Sequence, residues 1–159
     1  MHIFLIGALQ SGKSTAIDRY LAGRGMVPGG FRTRWDRQAG RLALHLPAAG
    51  AILTAAVMTP QGPRPDPAAF DAAARVLAAA PPAPLLLMDE LGFLEGCSPL
   101  FQQTIFSLLE GSTPVLGVLR PHPASPFFEP LSHRPDIRLV PLTPDNRDQI
   151  PQLLQHLLG

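Results

Sequence analysis

The segment that most constrains this chain lies near its start and contains its only lysine. Residues 7–14 read G-A-L-Q-S-G-K-S, which fits the pattern G-x-x-x-x-G-K-[S/T] with Lys13 next to last. Every other basic side chain that is not histidine is an arginine. A sequence that avoids lysine elsewhere and keeps it here indicates a position that requires a compact, mobile ammonium group. We therefore interpret residues 7–14 as a phosphate-binding loop.

A loop of this kind binds phosphate groups with its backbone and a few side chains. Its amides surround the α- and β-phosphates, and its lysine reaches the oxygens of the β- and γ-phosphates. The hydroxyl of Ser14 offers a ligand to Mg²⁺, and the helix that begins here directs its positive end toward the anion. The predicted nucleotide-binding residues are Gly7, Ala8, Leu9, Gln10, Ser11, Gly12, Lys13, Ser14 and Thr15. The segment thus predicts a nucleoside-triphosphate site with Mg²⁺ as its cofactor.

The flanking sequence supports this interpretation, because a phosphate-binding loop requires a strand before it and a helix after it. His2–Ile6 is a short apolar run rich in strand-forming residues, as expected of a buried parallel strand. Residues 14–21 then place Ile17, Tyr20 and Leu21 at helical spacing. The alternative is an ordinary turn of glycine and serine, and the agreement of strand, loop and helix argues against it.

Composition favours a single globular domain over residues 1–159. Hydrophobic residues make up 46% of the chain, as in proteins with a packed core. The net charge is +1 and the arginines are scattered, so we expect no nucleic-acid partner. One cysteine, Cys97, excludes an intrachain disulfide and fits a cytoplasmic compartment. The first apolar run is too short for a signal peptide or a membrane span, so we expect no membrane partner, and no feature identifies a protein partner.

Strand and helix patterns alternate along the chain, which is typical of an α/β domain around a largely parallel sheet. Parallel strands are predicted at residues 2–6, 85–88, 115–119 and 137–140, and helices at 14–21, 67–80, 98–111 and 143–158. An antiparallel hairpin is predicted within residues 30–58, with arms at 31–35 and 41–46 and a third short strand at 52–58. Proline-rich residues 61–67 and 122–130 are predicted to be loops. The predicted fold class is the three-layer P-loop NTPase fold with a mostly parallel sheet and an inserted antiparallel hairpin.

Two acids supply the second half of the predicted site. Asp89 and Glu90 directly follow the apolar run 85–88. Ligands of open parallel sheets bind at the carboxyl ends of strands, so these acids are expected beside the phosphate-binding loop. Asp89 is predicted to hold Mg²⁺, directly or through water, opposite Ser14. Glu90 points elsewhere and is predicted to orient and deprotonate a water molecule that attacks the γ-phosphorus.

With both halves identified, the chain resembles the THEP1-type nucleoside-triphosphatases. The segments that carry the resemblance are the phosphate-binding loop, GGFRT at 29–33, DELGFLE at 89–95, PVL at 114–116 and NRD at 146–148. They occur in the right order over nearly the whole chain, and the loop and the Asp-Glu segment are the specific ones. The resemblance implies a small P-loop protein that hydrolyses several nucleoside triphosphates slowly and with little base preference.

One departure from this family bears on catalysis. The family usually reads D-E-I-G-K-M-E where this chain reads D-E-L-G-F-L-E, so Phe93 stands in place of a lysine. If that lysine helps to neutralise phosphate charge, an arginine must substitute for it or turnover must be slower. Glu95 is retained, and both a functional role and an exposed position ahead of a helix are open for it.

Several residues are candidates for completing the site. An arginine that neutralises the charge spread over the transferred phosphoryl group contributes about 10³-fold or more. Arg120, directly after a strand, is the first candidate for this catalytic role and Arg32 the second, with a solvated surface position open for both. Asn146 and Arg147 are candidate base contacts in the first turn of the last helix, although a capping role suits Asn146 better. Trp35 either stacks on a base or packs on its own sheet.

Three functions are compatible with these residues. The first is Mg²⁺-dependent hydrolysis of nucleoside triphosphates to diphosphate and phosphate with low base selectivity. The second is a nucleotide or small-molecule kinase, which needs an acceptor pocket and usually an arginine-bearing lid. Residues 122–134 are a conceivable lid that carries only Arg134. The third is a nucleotide-dependent adaptor or switch in cofactor assembly. A Ras-type GTPase is disfavoured, because its Asn-Lys-x-Asp motif requires a second lysine.

Overall fold

A computed structural model describes residues 1–7 and 12–159 of the chain. These residues form one sheet of eight strands. The strands are β1 (His2–Ile6), β2 (Gly29–Asp36), β3 (Arg41–Leu46), β4 (Ala51–Thr59), β5 (Gly62–Pro65), β6 (Leu86–Leu91), β7 (Val115–Leu119) and β8 (Ile137–Pro141). Their order across the sheet is β5-β4-β3-β2-β6-β7-β1-β8.

Helices cover both faces of this sheet and complete three layers. The helices are α1 (Lys13–Ala22), α2 (Pro67–Ala79), α3 (Pro99–Leu109), α4 (Phe128–Ser132) and α5 (Ile150–Leu158). α1 and α5 contribute Ile17 and Leu154 to the core on one face, and α2 and α3 contribute Phe70 and Phe101 to the core on the other. Among the helices of residues 1–7 and 12–159, none is long and apolar enough to cross a membrane.

The sheet has a parallel half and an antiparallel half. β2, β6, β7, β1 and β8 run parallel to one another. β3, β4 and β5 continue the sheet from β2 in antiparallel pairs. This arrangement confirms the predicted fold class, a largely parallel α/β sheet with an inserted antiparallel hairpin.

β1 lies between β7 and β8, and it is apolar from Ile3 to Ile6 because both of its faces are covered. Ile3 and Leu5 pack with the helices of one face, Phe4 packs with those of the other, and all three are fully buried. In β7, Gly117 is the register partner of Phe4. A Cβ on Gly117 would lie 2.4 Å from the phenylalanine ring, so the small residue makes room for the large one.

The core beneath α2 and α3 is built around three phenylalanines. The ring of Phe101 lies edge-on to Phe31 at a centroid distance of 5.4 Å and to Phe70 at 5.2 Å. Aromatic pairs prefer this edge-to-face arrangement. The predicted helix starts are confirmed here, since Asp66 accepts a hydrogen bond from the Ala68 amide and Ser98 caps α3.

Two segments predicted to be loops contain regular structure. Residues 62–65 form β5, although Pro63 and Pro65 lie within it. Proline is tolerated there because β5 is an edge strand that pairs with β4 alone. Within residues 122–130, α4 begins at Phe128, and the fully buried ring of Phe127 anchors the segment to the core.

The last helix begins later than predicted. α5 starts at Ile150, whereas residues 143–149 form turns, so the prediction of a helix from residue 143 was wrong. The amides of Asn146 and Arg147 both donate to the carbonyl of Thr143, which closes a turn. Pro151 lies in the first turn of α5, where its missing amide hydrogen costs nothing.

β2 joins the parallel half of the sheet through a glycine that approaches β6 very closely. Gly30 is the register partner of Leu87 and has a φ of +82°. A Cβ at this position would lie 1.9 Å from the Leu87 carbonyl oxygen and 2.6 Å from its amide nitrogen. Both atoms belong to the backbone of a central strand, so they cannot move aside cheaply.

We predict that Gly30→Ala lowers the free energy of unfolding by about 3 kcal/mol, because backbone strain and steric overlap act together. Gly50→Ala is the matched control, since Gly50 also has a positive φ of +64° but a Cβ there would meet no atom within 4 Å. We expect the control to lose about 1 kcal/mol. Urea unfolding of both variants measures the difference, and equal losses would contradict the steric argument.

Candidate active site

The carboxyl ends of the parallel strands border a cavity of about 530 Å³ that collects several of the predicted site residues. Ser14 from α1, Asp89 and Glu90 from β6, and Arg120 after β7 all line it. Arg32 contacts Asp89, and Lys13 interacts electrostatically with Asp89 and Glu90. Four predicted nucleotide-binding residues lie outside the described residues, namely Ala8, Leu9, Gln10 and Ser11.

Lys13 occupies the first turn of α1 with its ammonium group directed back to the end of β1. Its Nζ donates a hydrogen bond to the carbonyl oxygen of Gly7 at 2.9 Å. Partial burial lowers the pKa of Lys13, and attraction to Glu90 and Asp89 counters that shift. The ammonium group is therefore close enough to both acids to interact with their charges.

Asp89 is a buried carboxylate that an arginine holds in place. Only 3% of Asp89 is exposed, and its Oδ2 accepts a hydrogen bond from Nε of Arg32 at 3.3 Å. The same guanidinium donates from Nη1 to Asp18 on α1. Burial raises the pKa of Asp89, and Arg32 offsets part of this rise. Arg32 therefore pairs with two carboxylates, one on α1 and one on β6.

Glu90 leaves the regular strand geometry. The register between β6 and β7 pairs Asp89 with Val118 and then Leu91 with Leu119, so Glu90 is left outside the pairing. An extra residue of this kind re-aims a side chain. Oε1 of Glu90 lies 3.7 Å from Nη1 of Arg120. Burial raises the pKa of Glu90, and Arg120 counteracts the rise.

The oxygen atoms at this end of the cavity fit Mg²⁺. Asp89 offers a carboxylate and Ser14 a hydroxyl, both lining the same space. Mg²⁺ prefers such hard oxygen ligands and is usually bound by only one or two protein groups together with substrate phosphates and water. Oδ2 of Asp89 accepts a hydrogen bond from Arg32, and a carboxylate has further lone pairs that can bind a cation.

Glu95 is buried and takes part in the loop that follows the two acids. Of the two alternatives left open for Glu95, the exposed position is wrong, because only 4% of Glu95 is accessible. Its Oε2 accepts a hydrogen bond from the amide of Gly92 at 3.0 Å. Burial raises the pKa of Glu95 from 4.5 to about 7. Glu95 thus lines the cavity as a carboxyl group that titrates near neutral pH.

Arg147 and Asn146, the two candidate base contacts, both lie in the loop after β8, but they make different contacts. Cδ of Arg147 lies 3.8 Å from the position that a Cβ on Gly12 would take, so this arginine reaches the phosphate-binding loop. Asn146 instead stabilises its own turn, accepting from the amide of Thr143 at 2.8 Å and donating to the carbonyl of Pro141 at 3.0 Å. Asn146 therefore stabilises the turn that precedes α5 and does not cap that helix, which begins at Ile150.

The far wall of the cavity is apolar. Its apolar side chains come from β2, β3, β4 and the segment after β6, and they are Trp35, Leu42, Met58, Phe93 and Leu94. The ring of Phe93 stacks on His122 with centroids 4.6 Å apart. At position 93, where the resemblance described above implies a lysine, this chain has an aromatic ring that stacks on a second ring. Trp35 also packs against the hydrophobic core, as one of its two alternatives proposed.

A second cavity of about 590 Å³ adjoins the first, and Ser14, Thr33 and Trp35 line both. Its basic side chains are Arg32, Arg34 and His45, and no acid lines it among the residues described here. The two cavities therefore differ in charge, although they meet beside the start of α1.

Arg134 does not reach the site. Its guanidinium lies 2.7 Å from Asp136 and 2.7 Å from Glu110, which follows α3 and precedes β7. Glu110 is at the amino edge of the parallel strands, opposite the edge that carries Asp89. Residues 122–134 therefore do not bring this arginine to the cavity in the way that an arginine-bearing lid requires.

Sequence reasoning missed Asp18, the burial of Glu95 and the contact between Phe93 and His122. Asp18 carried a usable signal, because it lies five residues after Lys13 on the helix that starts at the loop. The other two depend on how the segments after β6 and β7 fold together, which no local pattern reveals.

We predict that the stability change caused by Glu95→Gln depends on pH. The folded protein binds the Glu95 proton more tightly than the unfolded chain does, so this group lowers the free energy of unfolding as pH rises from about 4.5 to about 7. Glutamine keeps an acceptor for Gly92 and removes that loss. Relative to wild type, the variant should gain about 2 kcal/mol between pH 5 and pH 8 in urea unfolding. An equal difference at both pH values would contradict the assignment.

Comparisons with known proteins agree with this fold. Two solved structures resemble it over nearly the whole chain. THEP1 from the hyperthermophile Aquifex aeolicus gives a TM-score of 0.79 at 18% sequence identity, covering 100% of this chain and 99% of its own. A human cancer-related nucleoside triphosphatase gives 0.74 at 23% identity, covering 98% and 96%. A comparison with curated proteins finds no significant match.

A family model gives the assignment itself. The model described as NTPase matches residues 66–155, which is more than half of the chain. The match runs from the cap of α2 into α5 and includes both acids of β6 as well as Arg120 and Arg147. Together with the shared fold, this match means that the chain belongs to the NTPase family and is a nucleoside triphosphatase of the THEP1 type.

Proposed function

We propose that this chain hydrolyses nucleoside triphosphates to diphosphate and phosphate in a Mg²⁺-dependent reaction with low base selectivity. The observation that carries the proposal is that Glu90 and Asp89 have separate arginine partners. Arg32 holds Asp89, whereas Arg120 lies 3.7 Å from Glu90, and all four residues lie beside the start of α1. Two neighbouring acids can therefore take two different roles.

In this proposal the triphosphate binds at the phosphate-binding loop. The backbone amides of the loop and the positive end of α1 hold the phosphate oxygens, and Lys13 turns from the Gly7 carbonyl to the β- and γ-phosphates. Ser14 and Asp89 hold Mg²⁺, directly or through water, which when bound would neutralise charge on those phosphates. Arg120 then faces the charge that develops on the transferred phosphoryl group.

Glu90 acts as the base in this proposal. A carboxylate whose pKa is raised by burial is a better proton acceptor near neutral pH than one in water, provided that it remains ionised. Arg120 favours the ionised form, and Lys13 does the same from the other side. Glu90 orients a water molecule and takes its proton as the oxygen attacks the γ-phosphorus.

We expect low base selectivity because the site mainly binds the phosphate groups of the nucleotide. The loop binds the triphosphate, which all nucleotides share. The amide of Asn146 already serves its own turn, so the residue is poorly placed to read the edge of a base. Arg147 reaches the loop near Gly12 with a charged group that suits phosphate or a base face without discriminating among bases.

Two further parts of the proposal concern the whole chain. We treat residues 1–159 as a single P-loop NTPase domain, because strands from residue 2 to residue 141 belong to one sheet. A cytoplasmic location is proposed from the single cysteine, Cys97, which fits a reducing compartment.

We predict that ATP, GTP, CTP and UTP are all hydrolysed with kcat/KM values within about tenfold of one another. The reason is that most of the binding energy comes from contacts to the triphosphate, which all four nucleotides share. Phosphate release should require Mg²⁺ and stop with excess EDTA. Lys13→Ala should reduce kcat/KM by about 10²-fold or more for every nucleotide, since positioning and charge neutralisation both depend on it.

Arg64→Ala is the control for this variant, because Arg64 is an exposed cation on the edge strand β5. Its turnover should equal that of wild type. Unchanged hydrolysis in Lys13→Ala, or full activity in EDTA, would remove the central assignment.

We predict that Glu90→Gln retains nucleotide binding while kcat falls by about 10²-fold or more, the usual scale for loss of a general base. Glutamine keeps the shape of the side chain and a hydrogen-bond acceptor, but it cannot accept a proton near neutral pH. Equilibrium binding of a non-hydrolysable ATP analogue and single-turnover kinetics separate the two effects. Weaker binding with normal kcat would instead make Glu90 a structural residue, and Glu129→Gln, at an exposed acid, is the control.

A further inference from the structure

The cavity beside Glu90 is larger than hydrolysis requires. It encloses about 530 Å³, whereas one water molecule occupies about 30 Å³ of liquid. In the proposed function the γ-phosphate and Mg²⁺ bind at the end that contains Ser14 and Asp89, whereas the apolar side chains Trp35, Leu42, Met58, Phe93 and Leu94 line other parts of the cavity. Sites for small organic molecules span about 300–1,000 Å³ and are lined mainly by apolar and aromatic side chains.

The cavity lies at the γ-phosphate end of the nucleotide, and this inference rests on the proposed function for that orientation. Its lining residues come from α1, β2, β3, β4, β6 and the segments after β6 and β7, and none of those described comes from β8 or the turns that follow it. Arg147, which follows β8, approaches the loop at Gly12 instead. With the γ-phosphate beside Glu90, the nucleoside part extends away from the apolar wall.

Two aromatic side chains, Phe93 and Trp35, form part of the apolar wall. Phe93 is supported from behind by the ring of His122, which is stacked on it at 4.6 Å. Trp35, the only tryptophan of the chain, lines the same cavity from β2. Stacking on aromatic side chains is a common way to bind a heteroaromatic ring.

The charges around the cavity favour an uncharged ligand. Four carboxyl groups line it against two guanidinium groups: Asp36, Asp89, Glu90, Glu95, Arg37 and Arg120. A second anion would be repelled there by the acids and by the bound triphosphate. Hydroxyl groups, by contrast, can donate hydrogen bonds to the carboxylates. The adjoining cavity is lined by Arg34 and His45, and neither Glu90 nor any other acid lines it among the described residues.

We propose that this cavity binds an uncharged, hydroxyl-bearing aromatic molecule of nucleoside size, and that this molecule accepts the γ-phosphoryl group in place of water. Its aromatic ring lies between Phe93 and Trp35, and its hydroxyl group faces Glu90. The chain is then a phosphotransferase as well as a hydrolase, and the two reactions share one base.

The transfer step is balanced without any further reactant. The hydroxyl oxygen of the acceptor forms a bond to the γ-phosphorus while its proton passes to Glu90. The bond between the γ-phosphorus and the bridging oxygen breaks, and the nucleoside diphosphate leaves with that electron pair. The products are the diphosphate and a phosphorylated acceptor.

The experiment follows the fate of labelled phosphate. ATP labelled in the γ-phosphate is incubated with the whole protein and Mg²⁺, alone and with millimolar adenosine, guanosine, cytidine or uridine as the acceptor probe. At least one nucleoside should receive label as a monophosphate. The readout is the ratio of labelled monophosphate to inorganic phosphate, which a general loss of folding or of nucleotide binding does not change.

Two variants test whether the aromatic wall determines the ratio of labelled monophosphate to inorganic phosphate. Phe93→Ala removes one aromatic wall and should lower the ratio about tenfold, the scale of one stacking contact. Ile52→Ala is the control, because Ile52 is an exposed apolar residue of β4 that does not line this cavity. Trp35 fluorescence gives a second measurement and should change saturably when the accepted nucleoside is added with a non-hydrolysable ATP analogue.

Four results would count against the proposal or its basis. Label found only in inorganic phosphate, with Trp35 fluorescence unchanged by all four nucleosides, overturns it. Saturable fluorescence without transfer overturns the acceptor role, as does an equal ratio in Phe93→Ala and wild type. Failure to release phosphate in the absence of any nucleoside is a failure of the proposed hydrolase and is recognised separately.

Discussion

The arrangement of the site depends on two arginines that oppose the effect of burial on two adjacent carboxyl groups at the end of a buried strand. Burial raises the pKa of both Asp89 and Glu90, and each rise is opposed by an arginine on a different neighbouring element. Arg32 comes from β2 and Arg120 follows β7, so the two strands that flank β6 each supply one counter-charge. Without these partners, two acids beside each other in low dielectric would tend to share a proton, and neither would serve a cation or a water molecule well.

Through Arg32, the inserted hairpin contributes directly to the candidate site. The parallel register of β2 and β6 pairs Arg32 with Asp89 directly, and the close approach at Gly30 fixes that register two residues earlier. Asp18 then connects the same guanidinium to α1, the helix that begins at the phosphate-binding loop. The side chain of Arg32 therefore connects three elements, namely α1, the hairpin and β6. A movement of the hairpin would change the setting of Asp89 as well as the shape of the cavity beside Trp35.

The sequence predicted those parts of the molecule that short patterns encode. The β1–α1 unit, the caps Asp66 and Ser98 and the acids of β6 all follow from local spacing, and the structure has them at the predicted positions. The errors arose where tertiary packing overrides local preference. Pro63 and Pro65 argue against a strand, yet an edge position accepts them, and Glu95 is buried because the segment after β6 folds back to bond Gly92. The pairing of Arg32 with Asp89 required the strand order, which no single segment contains.

An aromatic wall next to the base also has a consequence for water. Hydrolysis and transfer compete for the same in-line position, so the partition is set by how completely an acceptor displaces water from it. A charged side chain at position 93 would keep water ordered there, whereas the stacked rings of Phe93 and His122 offer it few hydrogen bonds. Displacing weakly held water by an apolar surface gains affinity. In the proposed transfer reaction, the aromatic ring of Phe93 would therefore favour an organic acceptor over water.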